Sequence, residues 1–338
     1  MKIAVIGGGA IGALVAASLH KTGKDVVLVA REDQVAVINE KGLAIHGLGK
    51  GEIVKIKAVP HLNHFCNLGI FATKTQDLES AYAENHEYLE ESFILTTQNG
   101  VQADNILSSH FEREKMLSSI VMFGATYVKP GEITYNFPGD WIIGRPYMTV
   151  DAKTFEIVEE LDSAIKMVVS ENIMGMKWLK LFVNFNNCIP ALIGKSMQET
   201  FADMDLCKLS VKLLQEGMDI VKQANIELVS LPDFPVERIY GLINMPLDQA
   251  AGIIHKTLTT LSDEPLYGSI LQSIMRRKTS EIDFINGEVV QMAKQMRQEA
   301  ALNETILDMV HEVERSGKFF NIKQVKEAFK LSEISSQS

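Results

Sequence analysis

The chain predicts an α/β fold in two parts, a doubly wound parallel sheet followed by an all-helical domain. Three observations carry that reading. Short, near-continuous apolar runs alternate with helical stretches through the first half, which is the pattern of a parallel sheet covered on both faces. A glycine-rich turn follows the first of those runs. From about Lys177 onward, helical periodicity takes over.

Taken in order, Lys2-Ile3-Ala4-Val5-Ile6 reads as a buried strand that runs into Gly7-Gly8-Gly9-Ala10-Ile11-Gly12. Gly7, Gly9 and Gly12 have the G-x-G-x-x-G spacing of a dinucleotide-binding strand–turn–helix. The three glycines serve, in turn, the tight turn, the close approach of backbone to a pyrophosphate, and close helix–strand packing. The helix expected over residues 11–22 would offer backbone N–H groups and its positive dipole end to a phosphate. Gly7, Gly8, Gly9, Ala10, Ile11 and Gly12 are therefore the candidate cofactor cradle. Further strands are expected over residues 26–30, 69–72 and 93–97. After Met116, residues 119–123, 133–137 and 140–144 read as strands closing the first domain, with Pro130-Gly131 and Pro138-Gly139 as turns. Helices are expected over 178–193, 204–224, 246–261 and 280–301. The boundary falls between Val169 and Met176, which gives domains of 1–171 and 172–330. The final serine-rich residues read as a disordered tail.

Composition narrows the function. A length of 338 residues, with 46% hydrophobic and 22% charged, is that of an ordinary globule able to bury two cores. A net charge of −10 speaks against nucleic acid, which needs a basic surface. A small anionic substrate is compatible, because a few local lysines suffice to hold it. Cys66, Cys188 and Cys207 have no metal-ligand spacing, so no metal site is expected, and their sparseness suggests a reducing compartment. No uncharged stretch reaches membrane-spanning length. The first strand leaves no place for a cleavable signal, and the expectation is a cytoplasmic protein without a membrane partner.

Several polar residues stand out against this frame. NAD-preferring folds place an acidic residue at the end of the second strand. Here Val29-Ala30-Arg31 stands there, and a guanidinium can pair with a 2′-phosphate, which favours NADP. Glu32 follows at once, so Arg31-Glu32 also reads as a solvated helix start. Lys74 follows the strand at 69–72, and Asn99 the strand at 93–97. Both lie at carboxyl ends, where open α/β sheets bind ligands. Asn99-Gly100 also suits a plain turn, and Lys74 a surface charge. In the helical half, Lys180, Asn184, Asn187 and Cys188 recur at three- and four-residue steps within an apolar segment, which places them on one helix face. Asparagine is a mediocre helix former, so this stripe reads as a pocket wall or as a set of satisfied core amides. In Arg276-Arg277-Lys278-Thr279-Ser280-Glu281-Ile282-Asp283, Thr279 or Ser280 can cap a helix whose first turn carries Glu281 and Asp283.

Together these segments resemble the ketopantoate reductase (2-dehydropantoate 2-reductase) family from the start of the chain to about Ala300. The carriers are residues 7–12, Thr73-Lys74, Gln98-Asn99-Gly100, Trp178-Leu179-Lys180-Leu181 with Asn184, and residues 279–287. The resemblance implies a Rossmann-like first domain and a helical second domain like the C-terminal one of 6-phosphogluconate dehydrogenase. It implies transfer of hydride from NADPH to the ketone of ketopantoate, with Lys180 as proton donor and Glu281 holding Lys180 and touching the cofactor. By the same likeness Arg31, Lys74, Asn99 and Ala125 contact the cofactor. Asn99, Lys180, Asn184, Cys188 and Ser269 contact the substrate.

Two departures from the family pattern fall near the substrate. Cys188 stands where a second asparagine is usual, and Gln102 where a glycine is common. A paralogous NADP-dependent reductase of another 2-oxo acid therefore stays open. So do a sugar-acid or hydroxyacyl dehydrogenase of the same plan, and a non-catalytic NADP-binding protein. His61, His64 and His255 fall outside the pocket segments, which disfavours a histidine-based dehydrogenase. A homodimer is a candidate assembly.

Overall fold

The protein is described by a computed structural model that covers residues 1–48 and 51–331. The serine-rich tail expected at the end falls in residues 332–338, outside the described residues. The chain divides into two compact units, Met1–Met174 and Gly175–Ser338.

The first unit contains twelve strands among the described residues. They are β1 (Lys2–Ile6), β2 (Asp25–Val29), β3 (Leu43–Gly47), β4 (Glu52–Val54), β5 (Lys57–Val59), β6 (Leu68–Phe71), β7 (Phe93–Thr96), β8 (Met116–Val121), β9 (Gly124–Lys129), β10 (Glu132–Phe137), β11 (Trp141–Gly144) and β12 (Met167–Ser170). Between them lie α1 (Ala10–Lys21), α2 (Glu32–Lys41), α3 (Leu78–Ala83), α4 (Gln102–Ser108) and α5 (Ala152–Asp162). Eight strands form the main sheet in the order β12-β11-β8-β7-β6-β1-β2-β5. Every neighbouring pair in it is parallel except β11 with β8. The central strands are apolar along their length because both of their faces are covered: the last four residues of β1 and of β2, and all of β6, are buried. Each such Val or Ile contributes roughly 1.5–3 kcal/mol of burial. From β1 the chain winds outward through β2 and β5, then returns to place β6 on the other side of β1. The strand order reverses at β1/β6, which is where doubly wound sheets bind ligands.

The strand expected over residues 133–137 is β10, which lies not in the main sheet but in a separate one in the order β4-β3-β10-β9. Its strands bury one face only, with Ile45 and Ile133 inward and Ile53, Val128 and Phe137 exposed. That small sheet lies along α1. The short strands β3, β4, β5, β9 and β12 were not expected, because alternation over three to six residues is a weak signal.

The second unit is helical: α6 (Ile173–Asn184, which begins just before the division), α7 (Cys188–Ile193), α8 (Met197–Phe201), α9 (Met204–Gln223), α10 (Glu237–Asn244), α11 (Leu247–Thr259), α12 (Ser269–Met275), α13 (Asn286–Gln295), α14 (Ala301–Ser316) and α15 (Ile322–Ala328). Two expected long helices are interrupted. The helix over 178–193 is broken by a 3-10 turn at Phe185–Asn187. Pro190 explains the break: it has no N–H for the Asn186 carbonyl, and its ring is tolerated only in the first turn of a new helix. The helix over 280–301 shrinks to α13, preceded by a 3-10 turn at Ile282–Phe284 and ended near Arg297, whose φ is +59°.

One buried ion pair ties the edge of the main sheet to α5. The Arg145 guanidinium has no exposed surface, and it donates to both carboxylate oxygens of Asp151, at 2.9 and 2.8 Å. It also donates to Thr154 Oγ1 and to the carbonyls of Glu114 and Met116. Asp151 caps α5 as well. Burial would raise its pKa, but the bonds from Thr154 and Arg145 outweigh burial and hold it down at about 2, below the usual 3.8. The stabilisation is therefore complete above about pH 4 and is lost as pH falls through about 2. Asp151→Ala leaves the buried guanidinium without its carboxylate. Chemical denaturation should show a loss of about 2–3 kcal/mol, less than for a fully buried pair because Asp151 is partly open to water. A loss no larger than that of Lys153→Ala would show that the pair contributes nothing.

Candidate active site

The turn after β1 follows from its glycines. Gly7 has a φ of +118°, and a Cβ there would press within 2.7 Å of the Ala72 and Thr73 backbone at the end of β6. A Cβ on Gly12 would overlap the Gly7 carbonyl oxygen, so only glycine lets α1 start this close to the strand. Gly8 sits under Ala30 and Gln34. The buried Gln34 side chain donates from Nε2 to the Gly8 carbonyl and pins the turn to α2. Gly9 differs: it is exposed, with nothing within 4 Å of the place a side chain would take. No side chain caps α1, and no acidic residue lies in its first turn. Ala10 and Ile11 are half-exposed at that helix start. The arrangement fits an anionic ligand, since backbone N–H groups and a positive dipole end face open space beside a residue with no side chain.

The loops after β6 and β7 are locked together. Gln98 is buried; its Nε2 donates to the Phe71 and Thr73 carbonyls, both at 2.9 Å, and its Oε1 accepts from the Thr97 N–H. Lys74 and Asn99, both half-exposed, sit on these two tied loops at the carboxyl edge of the sheet. Thr73 Oγ1 and Thr75 Oγ1, which flank Lys74, are buried hydroxyls without a hydrogen-bond partner among the described residues. Below the second loop, Asp104 is fully buried and accepts from Thr96 Oγ1 at 2.6 Å and Ser118 Oγ at 2.8 Å. Trp141 Nε1 donates to Ser119 Oγ, which donates to the Thr96 carbonyl.

At the end of β2, Arg31 is exposed and occupies the N-cap position of α2. Its guanidinium lies against the Tyr127 hydroxyl of β9. Burial raises the Tyr127 pKa, and Arg31 pulls it back. Ala125 is half-buried on β9 and packs against the core beside α1. A hollow of about 420 Å³ runs along the flank of α1, lined by Leu14, Ser18, Tyr135 and Lys166 among others. It holds none of the expected site residues, and it lies away from the glycine turn.

In the second unit, Lys180 is half-buried on α6. Burial and the neighbouring Lys177 charge lower its pKa, Glu281 raises it, and the balance stands at about 8 against an ordinary 10.5. The structure therefore brings Lys180 and Glu281 into electrostatic contact, with Lys177 as a like-charged neighbour that spacing alone did not single out. Contrary to expectation, Glu281 does not stand in the first turn of a long helix; it precedes the 3-10 turn, and Ser280 Oγ accepts from the Ile282 N–H. Two side chains of α14 hold this segment. Glu314 accepts from the Ser280 N–H at 2.8 Å, and His311 lies 3.0 Å from Asp283 and 3.1 Å from Glu314. Burial lowers the His311 pKa, but the bonds to Glu314 and Asp283 outweigh it and keep it above the usual value.

The asparagines separate in role. Asn184 ends α6, half-buried. Asn186 accepts from Ser210 Oγ of α9. Asn187 packs its amide over Gly268, directly before the exposed Ser269. Cys188 does not join a polar stripe. It is fully buried, its Sγ donates to the Phe185 carbonyl at 2.9 Å, and burial pushes its thiol up to about 12. In this structure it packs inside the helical unit. Among the described residues, no cluster of three His, Cys, Asp or Glu side chains could hold a metal ion, and no helix is long and apolar enough to cross a membrane.

Both units have known counterparts. The ketopantoate reductase PanE/ApbA profile matches residues 3–146, and its C-terminal companion matches 172–314. The 2-dehydropantoate 2-reductase of Pyrococcus abyssi is 31% identical over 307 residues, 90% of this chain and 94% of that one. Its namesake in Pyrococcus horikoshii is 30% identical, over 94% of this chain and 99% of that one. Among solved structures, a D-mandelate dehydrogenase with NADH and anilino(oxo)acetate superposes with a TM-score of 0.81 at 21% identity, covering 94% of this chain and 99% of that one. A PanE/ApbA family ketopantoate reductase from Ralstonia eutropha gives 0.79 at 22% identity, with the same coverage. With both halves matched in order, the chain belongs to the ketopantoate reductase family of oxidoreductases.

Proposed function

We propose that this protein reduces the ketone of ketopantoate to pantoate with NADPH, using Lys180 as the proton donor. The observation that carries the reading is the charge setting of Lys180. A pKa of about 8 keeps the ammonium charged at neutral pH, yet makes it a readier acid than an ordinary lysine. The relatives named 2-dehydropantoate 2-reductase support the reaction class.

When bound, the reduced nicotinamide supplies the hydride. The bare Gly9 and the uncapped start of α1 would receive its pyrophosphate. Arg31, steadied by Tyr127, would pair with a 2′-phosphate. Ala125, with Lys74 and Asn99 on their tied loops, would border the cofactor. The Lys180 ammonium donates a hydrogen bond to the substrate's carbonyl oxygen, stabilises the negative charge that develops there, and then delivers its proton. Glu281 holds the ammonium and opposes the repulsion from Lys177. Asn99, Asn184 and Ser269 supply neutral hydrogen bonds for the substrate's carboxylate and hydroxyl.

A second reading, a related reductase of another 2-oxo acid, is favoured by the buried thiol at Cys188. The family pattern has an amide there, and this thiol offers a substrate nothing. Steady-state oxidation of NADPH and NADH across a panel of 2-oxo acids separates the two readings. Ketopantoate should give the highest kcat/KM, and a clear preference for an aromatic or unhydroxylated acid would favour the second.

Three variants test the residues. Lys180→Ala should lower kcat by about a hundredfold or more with little change in NADPH affinity, and parental turnover would reject the role. In the parent, reduction should fall as pH rises through about 8, where Lys180 loses its proton. Arg31→Ala should weaken NADPH about tenfold and leave NADH unchanged, whereas equal losses would remove the 2′-phosphate assignment. Gly9→Ala should melt at the parental temperature yet bind NADPH at least about tenfold more weakly, while unaltered binding would move the cofactor elsewhere.

A further inference from the structure

Glu281 lies inside a closed bracket that α14 builds around it. The Ser280 N–H donates to Glu314 Oε1, Glu314 Oε2 faces His311 Nδ1, and His311 Nε2 faces Asp283 Oδ1, at 2.8, 3.1 and 3.0 Å. The ring thus grips the chain one residue before Glu281 and two residues after it. A second tie follows at once, where Asn286 Nδ2 donates to Asn303 Oδ1 near the start of α14, at 2.9 Å. Asn303 is itself fixed by Glu216, whose carboxylate accepts from its backbone and side-chain nitrogens. The segment needs these ties because its own geometry is weak. It makes a single 3-10 turn, and Asp283 within that turn is nearly half exposed. A short 3-10 turn has poor hydrogen-bond geometry and little stability of its own.

From this geometry we infer that His311 is a positioning residue for catalysis: by bridging Asp283 and Glu314 it holds the Glu281 turn in the place from which Glu281 acts on Lys180. An imidazolium suits that role, since both of its N–H groups donate and each finds a carboxylate. The inference rests on the assignment of Lys180 as proton donor. Lys180 feels Glu281 as the one raising charge against burial and Lys177. Loosening the turn weakens that support, so the Lys180 pKa falls further.

The experiment reads Lys180 directly and independently of turnover. Side-chain NMR of isotope-labelled lysines in the full-length, cofactor-free protein gives its titration midpoint, and Lys180→Ala assigns the signal. His311→Ala should move that midpoint below about 8. It should also lower kcat for ketopantoate about tenfold, the scale of one charge-assisted hydrogen bond, with KM for NADPH unchanged. His311→Gln, which can still donate to one carboxylate, should fall between the two and serves if His311→Ala does not fold. Val310→Ala, in the buried core of the same helix, should lower Tm without moving the midpoint. The inference is overturned if the Lys180 midpoint and kcat stay parental in a folded His311 variant. It is equally overturned if Val310→Ala shifts the midpoint as much. Parental turnover in Lys180→Ala overturns the proton-donor assignment instead, and the NMR midpoint still reports whether the bracket acts on Lys180.

Discussion

The charge balance around Lys180 is the constraint on which the proposed reaction depends, because one ammonium is held in a poor place for charge. Lys180 is removed from much of its water and lies one helical turn from Lys177, which is more deeply buried still. Either effect alone drives a lysine towards its neutral form. Glu281 opposes both, and its reach is set by a turn that would not hold its shape unaided. A carboxylate on one segment thus partly offsets burial and Lys177 at a lysine roughly a hundred residues earlier in sequence.

The first unit solves a different problem, that of offering an anion a site made of backbone. Two of the three glycines exclude a side chain, Gly7 by its left-handed conformation against the end of β6 and Gly12 by contact with the turn's own carbonyl, whereas Gly9 borders open space. Gln34 then removes the remaining freedom of the turn from outside. Buried amides act as fasteners here, at Gln34 and Gln98, where a loop must present functional groups without a regular element to hold it.

Much of this was legible in the sequence. The strand–glycine–helix entry carries local chemistry dense enough to fix its own geometry, and the parallel sheet announces itself in unbroken apolar runs. The pairing of Lys180 with Glu281 was accessible only through family likeness, since no spacing rule joins residues so far apart. The small sheet was missed because its signals are short, β4 having only three residues, and because β3, β9 and β10 are brought together along α1 from distant parts of the sequence. The helix break escaped notice although Pro190 was in plain view. An apolar period continues through a 3-10 turn with only a slight change of phase. His311 and Gln34 gave no signal, because a positioning residue is defined by what it touches.

The double grip of Gln98 on the ends of β6 and β7 has a consequence for how this protein could be re-engineered. One amide joins both loops, so Lys74 and Asn99 form a single stiff lip. Grafting either loop alone from a relative would import a partner without its fastener. Transplants that reshape substrate choice should therefore succeed as matched pairs of loops, inherited or engineered together with the glutamine that rivets them.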